Sequence, residues 1–258
     1  MGKVVAITNQ KGGVGKTTTS INLAASLART RRRVLLIDID PQGNATMGSG
    51  INKEAHPITT YEVLLGLESI ESAMVSVEGG YDLIPANSRL SGAEVELIEL
   101  ERRERRLRGA LDNMRAQYDY IFIDCPPALN LLTINALVAA QSVLIPMQCE
   151  YYALEGLTAL LNTIRKIRET LNPPLEIEGL LRTMFDPRNN LDNEVSAQLK
   201  QHFGDKLYRT VIPRNIRLAE APSHGKPVIA YDMQSKGAQA YLALAGEMLR
   251  REQEVVAA

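Results

Sequence analysis

Short runs of β-branched and aliphatic residues recur along the chain at 4–8, 34–39, 81–85, 120–124, 142–146, 177–183 and, more weakly, 207–212. Within each run the apolar side chains are consecutive rather than alternate, the pattern of strands buried on both faces. Helical patterns separate the runs. The chain therefore predicts an α/β fold, doubly wound, with a mainly parallel twisted sheet and helices on both faces joined by right-handed crossovers. Between the third and fourth runs, Ala93, Leu97, Leu100, Leu107 and Leu111 recur at helical spacing, with Glu101, Arg102, Glu104, Arg105 and Arg108 on the other side. That spacing predicts one amphipathic surface helix whose mixed charges are solvated. Arg29, Arg31, Arg32 and Arg33 follow an apolar helical stretch and precede a strand, where cations complement a helix carboxyl end.

A length of 258 residues suits one or two domains at about 150 residues each. With no internal repeat and no Pro/Gly/Ser linker, residues 1–258 are expected to form a single domain. Hydrophobic residues make up 45% and charged residues 23%, which excludes disorder and allows a sizeable core. The net charge of -1 gives no overall attraction to nucleic acid, so any such surface must be local. Two cysteines, Cys125 and Cys149, are too few and too isolated for a disulfide framework or a CxxC metal site, which suits a reducing cytoplasm. The amino terminus enters its first strand-like run without a leader pattern, and no apolar run approaches the ~20 residues that cross a bilayer.

Chemistry concentrates where the first strand hands over to a helix, in Gln10-Lys11-Gly12-Gly13-Val14-Gly15-Lys16-Thr17-Thr18. Glycines let backbone N–H groups wrap an anion, and the helix that follows presents its positive end to it. Lys16 supplies a cation for the β and γ phosphates of a nucleotide, and the Thr17 hydroxyl is placed to ligate Mg²⁺. Phosphate-loop enzymes also need a carboxylate at the end of a neighbouring strand, and the 120–124 run ends in Asp124. The 34–39 run carries Asp38 and leads to Asp40 before Pro41. Asp40, nearer the carboxyl edge, is expected to orient or deprotonate the attacking water, with Asp38 supporting it from behind. Thr17, Asp40 and Asp124 form the expected metal side of the site. The common pattern G-x-x-x-x-G-K-[ST] would place glycine at position 10, whereas this chain has Gln10 followed by the additional Lys11.

Together, KGGVGKTTT at 11–19, LLIDIDPQGNAT at 35–46, YIFIDCPP at 120–127 and IPRNIRLAEAPSHGKP at 212–227 make the chain resemble the ParA/Soj branch of the MinD-type ATPases with a deviant Walker A phosphate loop. The resemblance spans nearly the whole chain and implies an ATP- and Mg²⁺-dependent DNA-segregation ATPase. It implies that Lys11 crosses to the nucleotide of a partner subunit, so that ATP is sandwiched in a homodimer. A lysine so placed contributes little in a monomer and strongly once desolvated between subunits. Lys11, Lys16 and Asp40 are then the catalytic set, and residues 11–18 the phosphate cradle. The adenine contacts of the family map onto Pro213, Arg214 and Asn215, with Thr183 and Met184 nearby.

Family resemblance further implies nonspecific binding of double-stranded DNA by the ATP dimer, stimulation of hydrolysis by a ParB-like centromere-binding protein, and a cytoplasmic, nucleoid-associated location. Residues 182–236 carry nine Lys/Arg against six Asp/Glu, and Arg188, Arg217, Lys226 and Lys236 are the candidate phosphate contacts. Only three residues precede the first strand, so no operator-reading segment is expected there. The tail 250–258 is short and partly acidic, unlike a basic membrane-binding helix. Two other readings stay open: a positioning ATPase of the same fold acting on a membrane or protein assembly, and a metabolic ligase or synthetase that spends ATP on a small substrate.

Overall fold

A computed structural model describes residues 2–151 and 153–257, with side chains described as far as Glu254. Met1, Tyr152 and, from the carboxyl tail, Ala258 lie outside the described residues. The first half of the chain runs β1 (Lys3–Ile7), α1 (Lys16–Arg29), β2 (Val34–Asp38), α2 (Asn44–Gly48), α3 (Thr60–Leu65), α4 (Ile70–Ala73), β3 (Val75–Ser76), β4 (Asp82–Ile84), α5 (Leu90–Ile98), α6 (Arg106–Leu111) and β5 (Tyr120–Asp124). It continues through α7 (Leu131–Ala139), β6 (Ser142–Gln148), α8 (Ala153–Thr170), β7 (Glu176–Phe185), α9 (Asn190–Phe203), β8 (Leu207–Pro213), α10 (Ile216–Glu220), α11 (Val228–Tyr231) and α12 (Lys236–Ala257).

These strands form one sheet in the order β3-β4-β2-β5-β1-β6-β7-β8. Every pairing is parallel except β3 with β4. Consecutive apolar residues are required because strand side chains alternate between faces and both faces are covered. Val4, Ala6, Leu35, Ile37, Ile121 and Ile123 enter one apolar cluster, which Leu64 of α3, Leu97 of α5, Leu107 of α6, Leu137 of α7 and Leu160 of α8 close. Val5, Ile7, Val34, Leu36, Tyr120 and Phe122 enter the other, closed by Leu23 and Leu27 of α1 and by Tyr241 and Leu244 of α12. No helix among the described residues is long and apolar enough to cross a membrane.

One local expectation is corrected. The single amphipathic helix expected through 93–111 is broken: α5 ends at Ile98, Arg102 sits at φ 52, and a 3-10 turn precedes α6. A left-handed residue cannot propagate a right-handed helix. The Arg103 guanidinium, 3.0 Å from the Ile98 carbonyl, satisfies one of the acceptors that the break leaves open. β3, two residues long and antiparallel at the sheet edge, was not anticipated, being too short to carry a periodicity.

Asn172 shows how the crossovers are secured. Its buried side-chain amide donates to the carbonyls of Leu137 and Ala140, both at 2.8 Å, tying the end of α7 to the segment that enters β7. Asn172→Ala strands two carbonyls at a helix terminus. A loss of about 2 kcal/mol is expected, read as a lower urea midpoint with an unchanged m-value; an unchanged midpoint would show that water replaces the amide.

Candidate functional site

The strands β1, β5 and β2 end at one level, because Ile7 is paired with Asp124 and Asp124 with Asp38. Chain leaving β1 therefore opens directly beside two strand-end carboxylates. Asn9 anchors the loop that follows: its amide donates to the Pro146 carbonyl at 2.8 Å, and its Oδ1 accepts from the Lys11 N–H at 3.0 Å. Gly13 at φ 73 and Gly15 at φ 84 take left-handed conformations that only glycine adopts cheaply. A Cβ placed on Gly12 or Gly13 would meet nothing within 4 Å, so that side of the loop is open to a ligand. Val14 is buried, and its carbonyl accepts the Thr183 hydroxyl at 2.7 Å.

Lys16 begins α1, with Nζ 3.1 Å from the carbonyl of Lys11. Burial lowers its pKa, and the charge of Asp124 acts against that shift. Thr17 donates its hydroxyl to Asp124 Oδ2 at 2.8 Å, and Ser20, one turn further along α1, donates to Asp124 Oδ1 at 2.7 Å. The Thr18 backbone carbonyl accepts the Asn22 side-chain amide at 2.7 Å. Asp124 is fully buried; burial first, and the Asp38 charge second, push its pKa up. Asp38 is likewise driven up by burial, although it accepts the Thr46 N–H at 2.8 Å, the Thr46 hydroxyl at 2.7 Å and the Asp40 N–H at 3.1 Å. Asp40, just past the end of β2, accepts the Gln42 N–H at 2.9 Å.

The arrangement pairs two opposite demands. Loop N–H groups and the amino end of α1 suit an anion. The charges of Asp38 and Asp40 are felt at Asp124, that of Asp40 at Asp38, and those of Asp124 and Asp40 at Lys16, a crowding of carboxylates that suits a hard divalent cation held by oxygen. Among the described residues no cluster of three or more His, Cys, Asp or Glu forms a ready-made metal cage. The donor set thus fits Mg²⁺, which keeps several waters and shares its coordination with phosphates. Cys125 and Cys149 are buried free thiols whose pKa values burial raises, so neither is a nucleophile here.

Around this centre lie the other candidate residues. Lys11 is exposed at the rim, where its ammonium pairs with Glu150 in the loop after β6. Met184, at φ 51, follows Thr183 near the end of β7, and the next residue, Phe185, is paired with Pro213 of β8. Arg214 and Asn215 leave β8 directly, and Asn215 caps α10 by accepting the Arg217 N–H at 3.1 Å. The same edge of the sheet therefore holds the glycine loop and the segments expected to contact adenine. Of the candidate DNA cations, Arg188 pairs with Asp186 at 2.7 Å, Arg217 with Glu220 at 2.8 Å and Asp232 at 3.3 Å, and Lys226 with Glu78 at 3.7 Å. Lys236 is exposed at the start of α12. Sequence reading did not single out Asn9, Ser20, Thr46 or Glu150. Of these only Ser20 had a local signal, standing four residues after Lys16 and so on the same helix face.

Residues 2–177 match the family model described as an AAA domain. The sporulation initiation inhibitor protein Soj of Bacillus subtilis is 57% identical over 249 residues, covering 96% of this chain and 98% of its own length. The chromosome partitioning protein ParA of Caulobacter vibrioides is 54% identical over 255 residues, covering 98% and 96% respectively. Among solved structures, cobyrinic acid a,c-diamide synthase from Mycobacterium smegmatis with bound ADP and magnesium superposes with a TM-score of 0.86 at 37% identity, covering 98% of this chain and 96% of that one.

Proposed function

The chain belongs to the ParA/Soj family of chromosome-partitioning ATPases, and we propose that it is a DNA-segregation switch driven by Mg²⁺-dependent hydrolysis of ATP, with residues 1–258 acting as one unit. The observation that carries this reading is the meeting of Thr17 and Asp124 beneath an open glycine loop, with the second lysine, Lys11, exposed at its rim. Identity to Soj exceeds identity to the synthase by a wide margin, which favours partition over ligation of a small substrate.

Each residue then has a physical task. Backbone N–H groups of residues 11–18 cradle the phosphates. Lys16, close to the loop and partly desolvated, offsets charge on the β and γ phosphates. Thr17 would supply a hydroxyl and Asp124 and Asp40 carboxylates toward Mg²⁺, which would neutralise the charge that develops on the phosphates. Asp40 orients the attacking water and receives its proton, so that the oxygen attacks the γ phosphorus as the bond to the β-phosphate oxygen breaks. Met184, Pro213, Arg214 and Asn215 flank the base.

Lys11 gives the site its second output. Freed from Glu150, its ammonium reaches the γ phosphate held by another copy, and desolvation between two subunits makes that contact strong. Association then depends on ATP rather than ADP, and a homodimer doubles the cationic surface offered to DNA. Arg188, Arg217, Lys226 and Lys236 are assigned to nonspecific contacts with double-stranded DNA, and a ParB-like protein to stimulation of hydrolysis and release. Ion pairs with nearby carboxylates are exchanged for phosphates as DNA docks, so affinity falls as salt rises.

Sedimentation and gel shift on nonspecific DNA with ATP, ADP or no nucleotide, at two salt concentrations, test the reading together. Dimers and shifted DNA are expected with ATP alone. Behaviour independent of nucleotide ends the switch model. In the same assay Arg217→Glu should dimerise normally yet bind every DNA sequence about tenfold more weakly, with a salt dependence shallower by about one counterion. An unchanged shift would remove Arg217 from the DNA surface.

A further inference from the structure

α5 presents an apolar and acidic face. Val95 and Ile98, three residues apart and so on one side of the helix, are 68% and 52% exposed, while Leu90, Ala93 and Leu97 on the other side are fully buried. Glu96, Glu99 and Glu101 stand exposed around them. Among the described residues none of the three carboxylates has an ion-pair partner; Glu96 accepts only the Tyr61 hydroxyl, at 2.8 Å. Of the arginines that follow, Arg103 holds the Ile98 carbonyl and Glu104, Arg105 the Leu171 carbonyl, and Arg106 the carbonyls of Leu64 and Leu65.

The helix also touches the loop that leaves Asp124. Glu94 accepts the side-chain amide of Asn130, and Asn130 caps α7 by accepting the Thr133 N–H at 3.1 Å. Only 125–129 separates Asn130 from Asp124, and Leu129 within that stretch is 47% exposed. A ligand on the Val95 side of α5 thus lies one hydrogen bond from the segment that positions the carboxylate under Thr17.

We infer that this face of α5 docks a basic amphipathic segment of a partner protein, with apolar side chains covering Val95 and Ile98 and lysines or arginines pairing with Glu96, Glu99 and Glu101. Charge selects this occupant. A second copy of α5 would set carboxylate against carboxylate, and both DNA and an anionic membrane surface are repelled by the same groups. Docking itself stands on the exposed residues; its effect on turnover, transmitted through Glu94 and Asn130, rests on the ATPase reading above.

The probe is a synthetic helical peptide of about 18 residues, with leucines at helical spacing flanked by lysines, titrated by fluorescence anisotropy into the full chain. Its control carries glutamates in place of the lysines. Saturable binding of the lysine peptide is expected. The glutamate peptide, and the lysine peptide on the Val95→Ser/Ile98→Ser and Glu96→Lys/Glu99→Lys variants, should bind about tenfold or more weakly, with basal ATP hydrolysis unchanged in both variants. Hydrogen exchange should slow in 90–98 and 125–130 when the peptide is bound. Absence of binding, equal binding of the two peptides, parent-like binding by both variants, or protection elsewhere would each overturn the inference. Because binding is read without nucleotide, a chain that failed to hydrolyse ATP would sink the ATPase reading and leave the docking result standing.

Discussion

Lys16→Ala is expected to bind MgATP about 100-fold more weakly than the parent chain, the value of roughly 3 kcal/mol for charge-assisted bonds to phosphate. It should melt at an unchanged or slightly higher temperature. The two expectations are separable because of how the lysine sits. The only hydrogen bond of its ammonium among the described residues goes to the Lys11 carbonyl at 3.1 Å, and burial already disfavours its charge. Removing the ammonium therefore relieves a desolvated cation rather than breaking a network, and the loop keeps its anchors through Asn9 and Thr183. Binding of a fluorescent ATP analogue and a thermal melt decide it: parent-like affinity would take Lys16 out of the phosphate site, and a collapsed melt would make it structural. Every later event, dimerisation and DNA binding included, should disappear with it.

Much of the fold was legible because a parallel sheet covered on both faces demands consecutive apolar residues. Tyr120–Asp124 was bounded correctly from that pattern alone, and the other predicted strands were located to within a few residues at their ends. What was missed lacked such a signal. Val75 and Ser76 are too few to show a period, and the break between α5 and α6 depends on the backbone of Arg102, which side-chain spacing does not record. Leu100 and Leu107 are seven apart, two turns of an unbroken helix, so the periodicity read straight through the turn. The glycine loop was legible for a different reason: its residues are contiguous and their chemistry is local. Contacts that complete it span the chain, with Ser20 and Asp124 separated by 104 positions and Val14 and Thr183 by 169. No spacing rule reaches across such distances. Only the sheet order, which sets β5 beside β1 and β7 beyond β6, brings those groups together.

Asp40→Ala is expected to leave ATP binding intact while lowering turnover by about 10²–10⁴-fold, the usual range for removing a positioned general base. The distinction between Asp40 and Asp38 makes this a sharp test. Asp38 is fully buried and both its oxygens are taken, Oδ2 by Thr46 and Oδ1 by the Asp40 N–H. It holds the end of β2 in place, and Asp38→Ala should cost stability along with activity. Asp40 lies beyond the strand, 8% exposed, and among the described residues its carboxylate accepts one N–H, from Gln42 at Oδ1, which leaves Oδ2 for a water. Loss of that carboxylate removes the base but not the fold, so the ATP dimer should form and persist, and DNA should stay bound for as long as ATP lasts. Phosphate release, nucleotide affinity and sedimentation measured on one preparation separate the outcomes. Rapid turnover in Asp40→Ala would pass the water-orienting role to another group. Failure to bind ATP at all would make Asp40 a metal ligand first, because without its charge Mg²⁺ would be held by Thr17 and Asp124 alone among the groups assigned to it.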